Sequence, residues 1–368
     1  MYVDYKRELR IEMVYNALLY AVFISFALAL SNIKFISEIF MGLRWLILFV
    51  FLFFGLFIDK WKINKKNLTI SVALYCFYLF VLTFSTINFT GLVFDSFIWL
   101  SPFYLSLLIP LLFNGSKDLI VNSYIKFSIL FLVTLLPFLF FPSSYLGGRF
   151  AGWMQNTNMV AGFSAVGCSF IFLKYIYGDK KKIYIMAFVC FFIIILLTQS
   201  RGALIATILT VFVGLIINLK NKRNIFYVVL MSLLGFLFYI NLDIKEAGSD
   251  DIKGILTVRK IEVGSREEKI ERQLESFNYS PIYGVGTVAD ENNNKSRFQA
   301  ESSYTEILAM SGIVGFFIFC IIILINFIRR DVYKLYLIPL LVLSISEGYL
   351  TGIGSAISIL CYLFLLKD

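Results

Sequence analysis

The chain has 368 residues, 59% of them hydrophobic and 15% charged, with a formal net charge of +9. A soluble globular protein is nearer half apolar; here the charges bunch between apolar runs of roughly 15–24 residues, the length class of membrane-spanning helices, so a soluble domain is excluded. The ~10-residue alternating segments of a β-barrel are lacking, the basic residues recur at every second loop instead of forming a nucleic-acid patch, and histidine, the commonest general base and metal ligand, is absent.

The N-terminus mixes Lys6, Arg7 and Arg10 with Asp4, Glu8 and Glu12, and the first apolar run follows at Val14–Leu30. Its Ala27-Leu28-Ala29 resembles a signal-peptidase site, but with so many runs behind it an uncleaved anchor is expected. Further runs lie at Phe40–Ile58, Leu68–Ile87, Leu92–Phe113, Ser123–Phe141, Met159–Tyr177, Ile183–Leu197, Ala203–Ile217, Ile225–Ile240, Tyr304–Phe327, Val332–Ser346 and Tyr349–Leu365. Pro102, Pro110, Pro137 and Pro339 fall inside runs and are expected to kink or break helices. Cys76, Cys168, Cys190, Cys320 and Cys361 all lie in apolar runs with no CxxC pair, and read as small buried hydrophobes.

The expected fold is an all-α integral membrane protein of about twelve transmembrane helices. Residues 1–240 would form helices 1–9, residues 241–303 a large external loop, and residues 304–368 helices 10–12. The basic clusters Lys60–Lys66, Lys117, Lys180–Lys182, Lys220–Arg223, Arg329–Lys334 and Lys367 fall on one side under this count. Lysine and arginine bias marks the cytoplasmic side, so both termini are expected inside.

The same parity puts Thr198–Gly202 outside. About 37 residues, 183–219, separate two inner clusters. At ~1.5 Å each they are nearly consumed by two crossings of a ~30 Å core. The turn at Gln199–Gly202 must be tight, with Gly202 expected to supply the permissive backbone. Lys334 to Lys367 is a similarly short interval, which draws Glu347 into the outer leaflet.

In the external loop, Ser265-Arg266-Glu267-Glu268 reads as a capping box opening a helix, with Ile270, Leu274 and Phe277 on one face. Pro281-Ile282-Tyr283-Gly284-Val285-Gly286 is rich in turn residues. Asp290–Ser296 is polar and expected to be mobile. Ser303-x-x-Glu306 reads as a second capping box.

Three arginines belong to the outer face: Arg149, Arg201 and Arg266. The positive-inside rule disfavours them there, so each needs a reason. They snorkel, pair with an acid such as Glu301 or Glu347, or hold an anionic ligand such as a lipid diphosphate, which a guanidinium fork suits. Gln199 and Ser200 flank Arg201 as candidate substrate contacts. Asn156 and Asn158 fit helix capping or a sugar–phosphate contact. Glu301 fits a helix N-terminus or a general base. Trp153 and Tyr304 fit an interfacial belt or a sugar-stacking platform.

Leu197-Thr198-Gln199-Ser200-Arg201-Gly202-Ala203 resembles the "LT-x-SRGA" signature of the O-antigen ligase/polymerase superfamily. Gly148-Arg149-Phe150-Ala151-Gly152 followed by Asn156-Thr157-Asn158 resembles its "R-x-x-G…NPN" loop, with Thr157 where proline is usual. Ser265-Arg266 through Gly286 is similar to "SR…P-l-x-GvG", and Glu301-Ser302-Ser303-Tyr304 through Gly315 to "[H/E]-S-x-Y…GiiG". These pieces follow family order over residues 148–316.

Ligases of the superfamily carry a histidine in the external loop; this chain has Glu301 instead, and looks more like the Wzy-type repeat-unit polymerases. The resemblance implies a metal-independent, cofactor-free glycosyltransferase of the bacterial cytoplasmic membrane, working on its outer face. Its donor and acceptor would be undecaprenyl-diphosphate-linked oligosaccharides. A chain-length regulator protein, a further partner it allows, leaves no readable mark, and no nucleic acid is implied. Arg201 and Arg149 would clamp the diphosphate, Arg266 would close on donor or acceptor, and Glu301 would take the acceptor proton. A ligase using another acceptor and a lipid or polysaccharide transporter remain the alternatives.

Overall fold

A computed structural model of the chain describes residues 2–58, 68–90, 93–218, 263–291, 294–297, 302–328 and 331–367. The expected span Ile225–Ile240, the clusters Lys60–Lys66, Lys220–Arg223 and Arg329–Arg330, most of the external loop before residue 263, and Glu301 lie outside the described residues. The chain divides into two compact units. Unit 1 takes Met1–Ala27, Phe40–Ile120 and Glu262–Asp368; unit 2 takes Leu28–Ile39 and Val121–Ile261.

The apolar runs become helices because a mainly apolar segment in lipid can satisfy its backbone only internally. The helices are α1 (Tyr2–Leu28), α2 (Lys34–Ile58), α3 (Ile70–Thr90), α4 (Val93–Leu112), α5 (Lys117–Leu135), α6 (Thr157–Tyr177), α7 (Lys182–Thr198), α8 (Arg201–Ile217), α9 (Val263–Tyr279), α10 (Ser303–Ile328), α11 (Lys334–Leu343) and α12 (Ala356–Leu366). Among the described residues six helices, α1, α2, α3, α5 with its extension to Phe140, α6 and α10, are long and apolar enough to cross a membrane; α4, α7, α8, α11 and α12 supply shorter apolar segments. Large apolar side chains stay exposed along several of them, among them Phe53, Phe57, Phe80 and Phe84. Such surface fits lipid, not water, and the chain is an integral membrane protein. Cys168 and Cys361 are buried as expected, but Cys76 is exposed and Cys190 and Cys320 are half-buried, because these three sit on outward helix faces.

The prolines act differently from one another. Pro102 and Pro110 do not break α4, which runs through both. Pro102 cannot donate to the Ile98 carbonyl, and the Ser101 hydroxyl does so instead, at 2.8 Å. Pro339 likewise sits inside α11. Pro137 does end α5, and Leu136–Phe140 tightens to a 3-10 helix.

In unit 1, α3 packs against α4 and α10, α9 against α10, and α12 against α4 and α11. Tyr15, Phe51 and Phe113 form a buried aromatic cluster. The runs Val332–Ser346 and Tyr349–Leu365 do not each form a full crossing helix. Helices α11 and α12 have 10 and 11 residues, about 15–17 Å each, half a hydrocarbon core. Between them Ser344–Ser355 is non-helical and largely buried, as lipid permits only for backbone enclosed by protein. Its polar groups are met from around it. Ser303 N donates to Ser344 O at 2.9 Å, Ser303 Oγ to Glu347 O at 2.7 Å, and Ile353 N to Pro102 O at 3.3 Å. Ser303 is thus committed to this segment, not to a capping box with Glu306 on its own helix.

Lys117 pairs with Asp331 and Lys367 Nζ donates to Phe113 O, and Thr287 N donates to Thr86 Oγ1 of α3 at 3.2 Å. Val288–Glu291 (β3) and Asn294–Arg297 (β4), which follow two shorter strands described below, pair antiparallel.

Lys367 is 6% exposed, and its Nζ lies 4.8 Å from the Phe113 ring centroid. Burial, then the charge of Lys117, pushes its ammonium down from 10.5 to about 8. Between those values the unfolded chain holds the extra proton, so stability should rise with pH from about 8 to 10.5. Thermal denaturation in detergent across that window measures the rise, and Lys367→Met should flatten it.

In unit 2, α6 packs against α7 and α8. A short hairpin, Tyr145–Leu146 (β1) and Arg149–Phe150 (β2), leads into α6 and touches both α6 and α7. The segment Leu30–Ser37 is tied to it. Asn32 N donates to Trp153 O at 2.8 Å, and Gln155 Nε2 donates to Ser31 O at 3.0 Å and Ser37 Oγ at 3.1 Å.

Candidate functional site

The α7–α8 turn is as tight as the residue count requires. Helix α7 ends at Thr198, Gln199 adopts the left-handed conformation (φ 53°, ψ 30°), Ser200 is extended, and α8 starts at Arg201. The permissive position is therefore Gln199, not Gly202, which lies inside the first turn of α8. Gln199 is the one non-glycine with positive φ among the described residues. That conformation costs a residue with a Cβ about 1–2 kcal/mol. Gln199→Gly is expected to raise stability slightly and Gln199→Val to lower it by about 1–2 kcal/mol, both read as shifts of the thermal unfolding midpoint by calorimetry in detergent. If the amide contacts substrate, the glycine variant loses activity while keeping stability.

Arg201 is exposed, and no ion pair among the described residues involves it. Ser200 stands at the N-cap of α8 without a side-chain capping bond. The first N–H groups of α8 and its positive dipole end thus lie beside a guanidinium. Uncapped helix N-termini bind anions through those N–H groups, and Arg201 adds a full charge.

Arg149 reaches the same turn from the hairpin. Gly147 (φ 57°) and Gly148 (φ 80°) make the two-residue, doubly left-handed connection that tight hairpins need. On β2, Phe150 is fully buried and Arg149 half-buried. Arg149 Nε donates to Thr198 O at 2.8 Å and Nη2 to Asn158 Oδ1 at 2.9 Å. The guanidinium sits on the negative end of α7 and holds it to the start of α6. Asn156 caps α6, its Oδ1 accepting from Asn158 N at 2.8 Å. So the structure brings Arg149, Asn156, Asn158, Gln199, Ser200 and Arg201 into one unit, with Asn156 capping α6 and Asn158 held by Arg149. Thr198, whose carbonyl joins the two motifs, has no sequence signal beyond its place in the signature.

Trp153 is half-buried: its Nε1 donates to Thr134 Oγ1 at 3.2 Å and its ring meets Phe131 edge-on. Tyr304 is similarly engaged, its hydroxyl donating to Leu341 O at 3.1 Å.

The remaining candidates belong to unit 1. Helix α9 begins at Val263, so Ser265 lies within its first turn instead of capping it. Arg266 is also in that turn; its side chain lies outside the description. The packed face runs through Gln273, 2% exposed, while Leu274 is 42% exposed. The buried stripe is rotated from the expected Ile270–Leu274–Phe277 because Gln273 Oε1 accepts from Thr305 Oγ1 of α10.

After α9, Pro281–Gly286 inserts into a break in α10. Gly312 has φ 62° and ψ −167°, a region open essentially to glycine alone. Val285 N donates to Ala309 O at 3.0 Å and Gly286 N to Met310 O at 2.9 Å. Ile313 N donates to Pro281 O at 2.9 Å and Val314 N to Ile282 O at 3.2 Å. Ser85 Oγ holds the Tyr283 carbonyl from α3. A Cβ on Gly312 would lie 2.3 Å from Ile282 O. The two glycine motifs of the sequence are thus halves of one lock.

Residues 186–320 match a family model, Wzy_C, described as O-antigen ligase. The match takes in the α7–α8 turn, α9 and the lock, and leaves out the Arg149 hairpin. It supports the O-antigen ligase/polymerase superfamily for this chain. No curated protein matches it.

Proposed function

We propose that the chain is a membrane glycosyltransferase of the Wzy polymerase type, joining undecaprenyl-diphosphate-linked oligosaccharide repeat units on the outer face of the bacterial cytoplasmic membrane. The observation that carries this reading is Arg201, exposed at the uncapped N-terminus of α8, with Arg149 fixed on the turn before it. In the reaction an acceptor hydroxyl attacks the anomeric carbon of the donor glycan. The bond from that carbon to the diphosphate oxygen breaks, and the electron pair leaves with the lipid diphosphate. Negative charge develops on the leaving group, and preorganised donors aimed there give the largest share of catalysis. Arg201 and the α8 N–H groups supply them; Arg149 adds charge nearby and holds the turn in place. Arg266 is proposed to contact donor or acceptor. Glu301 takes the acceptor proton, and one displacement inverts the anomeric centre. With no histidine in the chain, a carboxylate is the natural base.

Glu301→Gln should lower the transfer rate by about 10²–10⁴ and leave binding of the lipid-linked donor intact; an unchanged rate removes Glu301 from the mechanism. The matched model is described as a ligase, which favours one second reading: transfer of a finished glycan to a different acceptor. Purified protein given only its lipid-linked repeat unit separates the two. A ladder of lengthening products supports the polymerase, and turnover only when a foreign acceptor is added supports the ligase.

A further inference from the structure

Arg44, in unit 1, is a charge that the transfer reaction does not use. It stands inside the apolar run of α2 and shares a helix face with Leu48, Phe51 and Gly55, four, seven and eleven residues on. Leu48 and Phe51 are buried and Gly55 lies against the Leu112 carbonyl, while Met41, Leu46 and Phe49 hold the exposed face. The Arg44 face of α2 is therefore turned toward protein, not lipid.

Its guanidinium carbon lies 5.3 Å from the Phe26 ring centroid and 5.1 Å from that of Trp45. A ring face attracts the charge but gives the N–H donors of the fork no acceptor. Nε is buried without a hydrogen-bond partner, and among the described residues Arg44 enters no hydrogen bond or ion pair. Glu38, the nearest acid on α2, is six positions back, off the Arg44 face, and pairs with Lys34 at 3.9 Å. The C-terminal end of α1 offers partial negative charge, not a counter-ion. An arginine inside a membrane span is costly until an anion meets it. Phe26 stands two residues before the end of α1, and α2 begins at Lys34. The guanidinium thus lies near the polar end of both helices, the level of lipid phosphates. Arg44 as a whole is half-buried, which leaves it open to a ligand, and its planar fork suits phosphate oxygens.

We propose that Arg44, framed by Phe26 and Trp45, binds the phosphate group of an anionic membrane lipid. The test titrates the full chain in detergent with phosphatidylglycerol or with diacylglycerol, which lacks the phosphate headgroup, and reads bound lipid by native mass spectrometry. Phosphatidylglycerol should be retained in preference. Arg44→Gln should weaken it about tenfold, the scale of one charge-assisted hydrogen bond. Lys34→Gln removes an equal charge from the exposed start of α2 and should leave retention unchanged. The rise in thermal midpoint on adding phosphatidylglycerol, measured from each variant's own lipid-free value, should shrink in Arg44→Gln alone, whatever that variant's stability. Displacement of phosphatidylglycerol by undecaprenyl diphosphate that persists in Arg201→Gln would keep the site and make a substrate lipid its source. Equal retention of the two glycerolipids, unchanged retention in Arg44→Gln, or an equal loss in Lys34→Gln overturns the proposal.

Discussion

Arg201→Lys is expected to cut polymer formation about 10²–10³-fold, the cost of losing one preorganised donor to a developing anion, with the fold unaffected. Lysine keeps the charge but not the planar fork that engages two phosphate oxygens at once. Because Arg201 is exposed and in no ion pair among the described residues, its replacement leaves no buried partner stranded, and the thermal midpoint should stay within a degree or two of wild type. Arg149→Lys is different in kind. It gives up the paired bonds to Thr198 O and Asn158 Oδ1, so stability and activity should fall together. Product ladders and thermal denaturation, run on both variants, separate a residue that meets the leaving group from one that also holds the turn. Loss of stability in Arg201→Lys matching that in Arg149→Lys would mean that both arginines are structural.

The second large effect concerns Gly312. Gly312→Ala forces a Cβ to within 2.3 Å of Ile282 O, in a conformation costing a non-glycine about 1–3 kcal/mol. Relief requires α10 to straighten or Pro281–Gly286 to leave. Either path breaks the bonds from Val285 N and Gly286 N to α10, each contributing about 0.5–1.5 kcal/mol. A total loss of about 2–6 kcal/mol is expected from these terms, with early release of the segment that follows α9. Hydrogen exchange at the Val285 and Gly286 amides reads this directly. Amides still protected in Gly312→Ala, with an unchanged midpoint, would show that α10 tolerates a regular helix there.

Much of this was legible in the sequence because lipid leaves the backbone few options. The runs around α6, α7, α8 and α10 mark their helices within a residue or two, and the spacing of Lys180–Lys182 and Lys220–Arg223 demanded the tight turn before Arg201. What escaped were places where one hydrogen bond overrides a pattern. Ser101 rescues α4 across Pro102. Gln273 takes the buried position that periodicity assigned to Leu274. Ser303 turns from its own helix to the Ser344–Ser355 segment. Gly202 looked like the turn residue because glycine is the usual left-handed position, yet the strain sits on Gln199. The arginines were visible as charges out of place, but only the fold distinguishes Arg149, bonded to Thr198 O and Asn158 Oδ1, from Arg201, exposed at a bare helix end.

The leaving lipid diphosphate is the most direct test of the central claim. Purified protein supplied with lipid-diphosphate-linked repeat units should release one undecaprenyl diphosphate for each glycosidic bond formed, counted by mass spectrometry of lipid and glycan together, and Arg201→Lys should suppress both in the same proportion. Bond formation without release of lipid diphosphate, or release that Arg201→Lys leaves unchanged, would contradict it.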